Sequence, residues 1–144
     1  MGYIPKDAKW YLAEIVMEIA VENDSRNVVH VNTTLVRADS PNEAYDRAQE
    51  LGARGETSYE NSHGKTVMHR FRGLRSLDVI HEELEHGAEL AFSERVAVPE
   101  DEIAKLVIAK EQLEAFKPVA PSQAPDYGSR GVREAASKIV RPAR

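Results

Sequence analysis

Ser40-Pro41-Asn42-Glu43-Ala44-Tyr45-Asp46-Arg47-Ala48-Gln49-Glu50-Leu51-Gly52 is the stretch on which the fold turns. Ser40 is a favoured N-cap, because its hydroxyl can accept from a backbone N–H that the first helical turn leaves free. Glu43, three residues on, completes a capping box, and Pro41 falls at the first helical position, where its missing N–H is harmless. Gly52 stands where a left-handed residue would close the helix. Between these signals Ala44, Tyr45, Ala48 and Leu51 recur at helical spacing and form one apolar stripe. A helix with a single stripe must lie on something. Its neighbours on both sides read as strands, so the expected support is a sheet.

Upstream, residues 9–22 alternate with the period of a half-buried strand, although their Ala, Glu and Met content suits a helix too. Tyr11, Ala13, Ile15, Met17, Ile19 and Val21 make one wholly apolar face, while Trp10, Leu12, Glu14, Val16, Glu18, Ala20 and Glu22 make a mixed one. A polar loop over 22–27 leads to a returning strand over 28–38, rich in Val and Thr. Downstream of the helix, residues 56–60 and 65–72 form a second hairpin around Asn61-Ser62-His63-Gly64, with Gly64 free to take a positive φ. Ser76 is read as the cap of a short helix carrying Leu77, Ile80 and Leu84 and stopped by Gly87. Residues 88–98 read as a fifth strand. Pro99 opens a long final helix whose stripe is Ile103, Leu106, Val107, Leu113 and Phe116 and which Pro118 stops.

The expectation is an α+β domain: an antiparallel sheet of about five strands with helices packed on one face, plus an extended C-terminal tail. Residues 9–98 form its core, 99–117 its C-terminal helix, and 118–144 a Pro-rich linker and basic tail in which 133–140 can form a short helix.

The chain has 144 residues, 42% hydrophobic and 30% charged, an ordinary single-domain balance. With no cysteine, disulfides, thiolate metal sites and a cysteine nucleophile are excluded, and a reducing, cytoplasmic setting fits. No apolar run approaches a membrane span, and the N-terminal residues lack a signal-peptide pattern. The net charge is −5, unevenly spread. From Pro118 onward Arg130, Arg133, Lys138, Arg141 and Arg144 outweigh Asp126 and Glu134, so the tail is +3 and the remainder −8. An acidic body disfavours nucleic acid. The tail offers it little, since its basic residues are spaced out and Tyr127 is its single aromatic.

Taken together, Trp10-Tyr11-Leu12-Ala13, Arg37-Ala38-Asp39-Ser40-Pro41-Asn42-Glu43-Ala44, Tyr59-Glu60-Asn61-Ser62-His63-Gly64, Phe71-Arg72-Gly73-Leu74 and Gly87-Ala88-Glu89-Leu90 carry a resemblance. The chain resembles an uncharacterised family of small bacterial proteins, the domain of unknown function 4288, over roughly residues 10–98. The resemblance implies a compact bacterial domain and lends no catalytic residues.

No motif amounts to a catalytic signature. His81-Glu82-Glu83-Leu84-Glu85-His86 places its histidines five apart, which turns a helix by about 140° and points the imidazoles away from each other. It reads as a solvated helix face rather than a metal site. No Gly-rich phosphate loop and no Gly-x-Ser-x-Gly elbow is present. Four polar residues are the candidates for ligand binding. Tyr59 borders a turn, and His69 shares a strand face with Val67 and Phe71. Arg70 and Arg72 share a face and suit an anion or the acids across the sheet. For each the plainer role is structural: a turn, a partly buried sheet histidine, ion pairs.

The expected function is therefore a non-catalytic protein-interaction domain acting as a homodimer or with a separate protein partner, and no cofactor or metal is implied. Trp10, Leu12 and Val16 on the second face of the first strand, with Leu113, Phe116 and Tyr127, are the candidate interface residues. The alternative is a small ligand-binding protein or enzyme with a site on the sheet face around His69 and Arg70.

Overall fold

The computed structural model describes residues 7–119 and 122–129. Its elements are β1 (Trp10–Val21), β2 (Val28–Arg37), α1 (Pro41–Arg54), β3 (Thr57–Glu60), β4 (Thr66–Val79) and α2 (Glu100–Leu106). The described residues divide into two units, 7–92 with 124–129, and 93–119 with 122–123. The first is an α+β unit with four antiparallel strands in the order β2-β1-β4-β3.

β1 takes the centre because both its faces carry apolar residues. Tyr11, Ala13, Ile15, Met17, Ile19 and Val21 are buried on one face, and Trp10, Leu12, Glu14, Val16 and Glu18 are half-buried on the other. β4 runs antiparallel along the whole of β1 with register shifts between Glu14 and Ile15 and between Val16 and Met17. Arg75 and Arg72 are the extra residues at these bulges. Between them Gly73 takes φ of +133°, a conformation closed to other residues.

α1 crosses the wholly apolar face. Ser40 caps it as the sequence predicts, its Oγ accepting from the Glu43 N–H at 3.1 Å. The Glu43 carboxylate is directed to Arg47, 3.0 Å away. Ser40→Ala is expected to destabilise the fold by about 1 kcal/mol, read as a lower urea midpoint with an unchanged slope.

Several expectations are corrected. Gly52 does not stop the helix, which runs on to Arg54 and ends at Gly55 with right-handed backbone. The buried stripe is Ala44, Ala48 and Gly52, and Tyr45 and Leu51 are exposed. Small residues at four-residue spacing let the helix settle close to the sheet, and a Cβ on Gly52 would lie 2.3 Å from the Phe71 ring. The short helix expected from Ser76 does not form, because β4 continues through Ser76 to Val79. Residues 88–98 form no strand, and their apolar members Leu90, Phe92 and Val96 are exposed, so there is no core for alternation to serve. The long final helix shrinks to α2, seven residues, followed by single 3-10 turns at Lys110–Gln112 and Glu114–Phe116. No described residue of this second unit is buried, and a helix without a surface to lie on is not held beyond a few turns. The helix expected over 133–140 lies outside the described residues.

Candidate functional site

α1 covers only one end of the sheet's apolar face. There its small residues meet Tyr11, Ala13, Ile15, Met17, Val36 and Ala38, flanked by Phe71, Leu74, Leu77 and Val79. At the other end Ile19, Val21 and Val67 form a second cluster, closed by Val28, Tyr59 and Tyr127. The chain thus returns after its second unit, and residues 124–129 finish the first unit's core.

The return is fastened by Asn61, the one buried polar side chain among the described residues. Its Oδ1 accepts from the N–H groups of His63 and Lys65, each at 2.9 Å, which shapes the β3–β4 turn. Its Nδ2 donates to the Asp126 carbonyl at 2.9 Å. Ser62 Oγ donates to the Asp126 carboxylate at 2.7 Å, with His63 Nδ1 3.4 Å from the same oxygen. An antiparallel bridge joins Asn61 to Ser129.

Beneath this turn lie the polar residues of the cluster. Tyr59 donates its hydroxyl proton to the Tyr127 carbonyl. Having one proton, the hydroxyl must then accept from His69, whose Nε2 lies 2.8 Å away, so His69 carries its hydrogen on Nε2. His30 meets the Tyr127 ring edge-on, centroids 5.5 Å apart. Burial lowers the His69 pKa, and the charge of His30 acts in the same direction. Burial raises the Tyr59 pKa, helped by Tyr127 and Asp126. A neutral imidazole donating to a protonated phenol activates neither group as a base. The arrangement is a clamp on the returning segment.

The clamp has a pH signature. Because the folded pKa of His69 lies below its ordinary 6.5, the unfolded chain takes up the proton first as pH falls. Stability present above pH 6.5 should decline as pH drops below it and level off beneath the folded pKa. Urea midpoints measured across that range should show this decline, and His69→Gln should flatten it.

The structure brings Tyr59 and His69 together and places Arg70 and Arg72 on the other face. Arg70 is paired with Glu18, and Arg72 Nη1 lies 3.5 Å from Glu18 Oε1. The four side chains therefore do not converge on one site. Tyr127 belongs to the clamped cluster, and Leu113 and Phe116 lie in the second unit, where Lys110 Nζ sits 5.4 Å over the Phe116 ring.

The face opposite α1 has a different character. Among the described residues of this unit, no helix or strand lies over it. Trp10, Leu12 and Val16 line its middle, half-buried, with the Arg37 guanidinium 5.8 Å from the Trp10 ring. Beside them Val29, Val31 and Leu35 of β2 are 54%, 38% and 45% exposed, and Met68 of β4 is 57% exposed.

A groove of about 470 Å³ runs from the end of β4 to residues 81–92, lined by Leu77, Val79, Leu90 and Phe92 with Asp78, His81, Glu82 and Glu89. Residues 81–86 are not helical, so the helix face read for His81 and His86 does not exist. Among the described residues, no group of three or more His, Asp or Glu is placed to hold a metal ion. No described helix is long and apolar enough to cross a membrane.

Residues 10–92 match the family model described as Domain of unknown function (DUF4288). The chain belongs to this family. The DUF4288 region holds all four strands, α1 and Asn61, and it ends where the first unit breaks off at Phe92. Tyr127 and Asp126, which complete the clamp, lie beyond it. Comparison with curated proteins finds no match, and neither does comparison with solved structures.

Nothing local in the sequence announces the partnership of Asn61 with Asp126, since the two are 65 residues apart. The only signal was the turn chemistry of Asn61 and Gly64. His69 and Arg70 do carry a legible sign, because consecutive strand residues point to opposite faces.

Proposed function

We propose that this protein is a non-catalytic interaction domain that self-associates, as a homodimer, along the β2 side of the sheet, where the face opposite α1 is most exposed. The observation that supports this most is the row of exposed apolar side chains on that face, Val29, Val31, Leu35 and Met68, next to Trp10, Leu12 and Val16. Burying a fully exposed Val or Leu side chain contributes roughly 1.5–3 kcal/mol, and these half-exposed side chains together contribute toward the several kcal/mol that association costs. The apolar face of β1 on the α1 side is already filled. The polar residues of the Tyr59–His69 cluster are engaged in holding their own chain together, with Tyr59, Asn61, Ser62 and His69 on residues 124–129 or on each other.

The lack of cysteine supports a reducing setting such as the bacterial cytoplasm. Light scattering of the full chain during gel filtration tests the reading. A mass near twice 16.1 kDa at about 100 µM is expected, given the micromolar affinity of small interfaces. A mass of one chain throughout would contradict it.

A further inference from the structure

Among the described residues β2 is an edge strand whose outer side meets no other strand. Among the described residues β2 is hydrogen-bonded to β1 alone. The other edge is different: β3 has only four residues and continues into the bridge between Asn61 and Ser129. A long strand edge without proline is what folded proteins usually avoid leaving open, because it templates further pairing.

The direction of each backbone group follows from one hydrogen bond. The Ala38 N–H donates to the Lys9 carbonyl at 2.9 Å. In an antiparallel pair, hydrogen-bonded and non-bonded positions alternate, so the even-numbered residues of β2 bond to β1. Val29, Val31, Thr33, Leu35 and Arg37 therefore aim their N–H and C=O groups outward. Arg47 Nη1 donating to the Arg37 carbonyl at 2.8 Å agrees with this, and it caps that end of the edge. The open length is then Val29 to Leu35. The side chains of Val29, Val31 and Leu35 are also the exposed apolar residues of the uncovered face. Outward backbone groups and exposed apolar side chains thus coincide at three of the four open positions, Val29, Val31 and Leu35, with Thr33 the fourth.

We propose that β2 pairs antiparallel with β2 of a second copy across a two-fold axis at Asn32. This deepens the self-association proposed above and rests on it. The axis at Asn32 sets Val29 against Leu35 of the partner and Val31 against Thr33, and uses every outward group from 29 to 35. Each such pair exchanges two backbone hydrogen bonds. The two sheets become one, and their apolar open faces run on across the axis. A second copy suits this edge because β2 contains no acidic residue, although the chain as a whole carries −5. The pairing sets no carboxylates opposite each other, which elsewhere on so acidic a protein is hard to avoid.

The absence of cysteine makes the register directly readable. On the axis, Asn32 faces its own copy in a non-hydrogen-bonded pair, with Cα atoms about 4.5 Å apart, within disulfide range. Asn32 is exposed. Full-length Asn32→Cys should form a disulfide-linked dimer under mild oxidation. Thr34→Cys is the control, because its two copies would lie about 13 Å apart along the strands. We expect Asn32→Cys to cross-link about tenfold faster or more, by the effective concentration that pairing gives. Thr33→Pro removes an outward N–H and leaves the bonds to β1. Val31→Lys puts a charge on the edge and keeps the backbone, so it serves if the proline variant fails to fold. Both should run as single chains in light scattering. If the chain is dimeric, but Asn32→Cys cross-links no faster than Thr34→Cys and Val31→Lys stays dimeric, the edge pairing is overturned while self-association stands. If the chain is monomeric and Asn32→Cys stays reduced, both are overturned.

Discussion

Asn61→Ala should destabilise the protein by about 2–4 kcal/mol, the largest effect expected from a single polar substitution here. The side chain is 6% exposed and every one of its hydrogen-bonding atoms has a partner. Removing it strands the N–H groups of His63 and Lys65 and frees the Asp126 carbonyl, and each part-buried group left unpaired costs roughly 1–3 kcal/mol. Asn61→Asp separates the two tasks. Its carboxylate still accepts from His63 and Lys65, so the turn survives. It has no hydrogen to give the Asp126 carbonyl and sets a negative charge beside the Asp126 carboxylate. The expected result is a fold that keeps its β3–β4 hairpin but releases residues 124–129. Hydrogen exchange would show faster exchange at Tyr127 to Ser129, with β1 and β4 unchanged. Equal loss of protection in hairpin and segment would mean that Asn61 serves the turn alone.

Gly52→Ala should destabilise by about 1–3 kcal/mol, against the trend for glycine in a helix. In an open helix the change would be favourable by about 1 kcal/mol. Here the new Cβ would sit 2.3 to 2.6 Å from three atoms of the Phe71 ring, and something must shift. The diagnosis is checked in a Phe71→Ala background. With the ring gone the clash is gone, and Gly52→Ala should become neutral or stabilising there. A loss of the same size in both backgrounds would assign the effect to the backbone of α1 and not to packing.

How far the sequence could be read follows from these residues. Signals that act within a few positions were legible. Ser40 capping Glu43, the alternation of β1 and the turn at Asn61 to Gly64 all appear as read. Gly52 misled because one residue type serves two purposes: glycine both stops helices and admits a neighbouring ring, and only the sheet beneath decides between them. Ser76 misled in a related way. Its hydroxyl donates to Glu14 Oε1 at 2.7 Å across the sheet, where the sequence suggested a cap. Gly73 and two bulges lie inside the fourteen-residue β4 that follows β1, and a bulge leaves little trace in alternation. Residues 88–98 and 99–117 show that periodicity needs a surface to act upon. Phe92, Val96, Ile103 and Val107 have the spacing and stay exposed.

The site was legible in half. Tyr59 and His69 lie on paired strands, and their contact follows from the hairpin register, Thr57 opposite His69 and Tyr59 opposite Val67. Arg70 and Arg72 belong to the other face by strand parity. The return of Asp126 and Tyr127 could not be read, because it depends on a contact that spans the whole second unit in sequence.

Backbone hydrogen exchange of β2 at low and high protein concentration reads the pairing of the two β2 edges residue by residue. In a single chain the outward amides of Val29, Val31, Thr33 and Leu35 exchange freely, while Val28, His30, Asn32 and Thr34 are held by β1. Raising the concentration should slow the four outward amides and leave the other four unchanged. Outward amides that exchange at the same free rate at both concentrations would contradict the pairing.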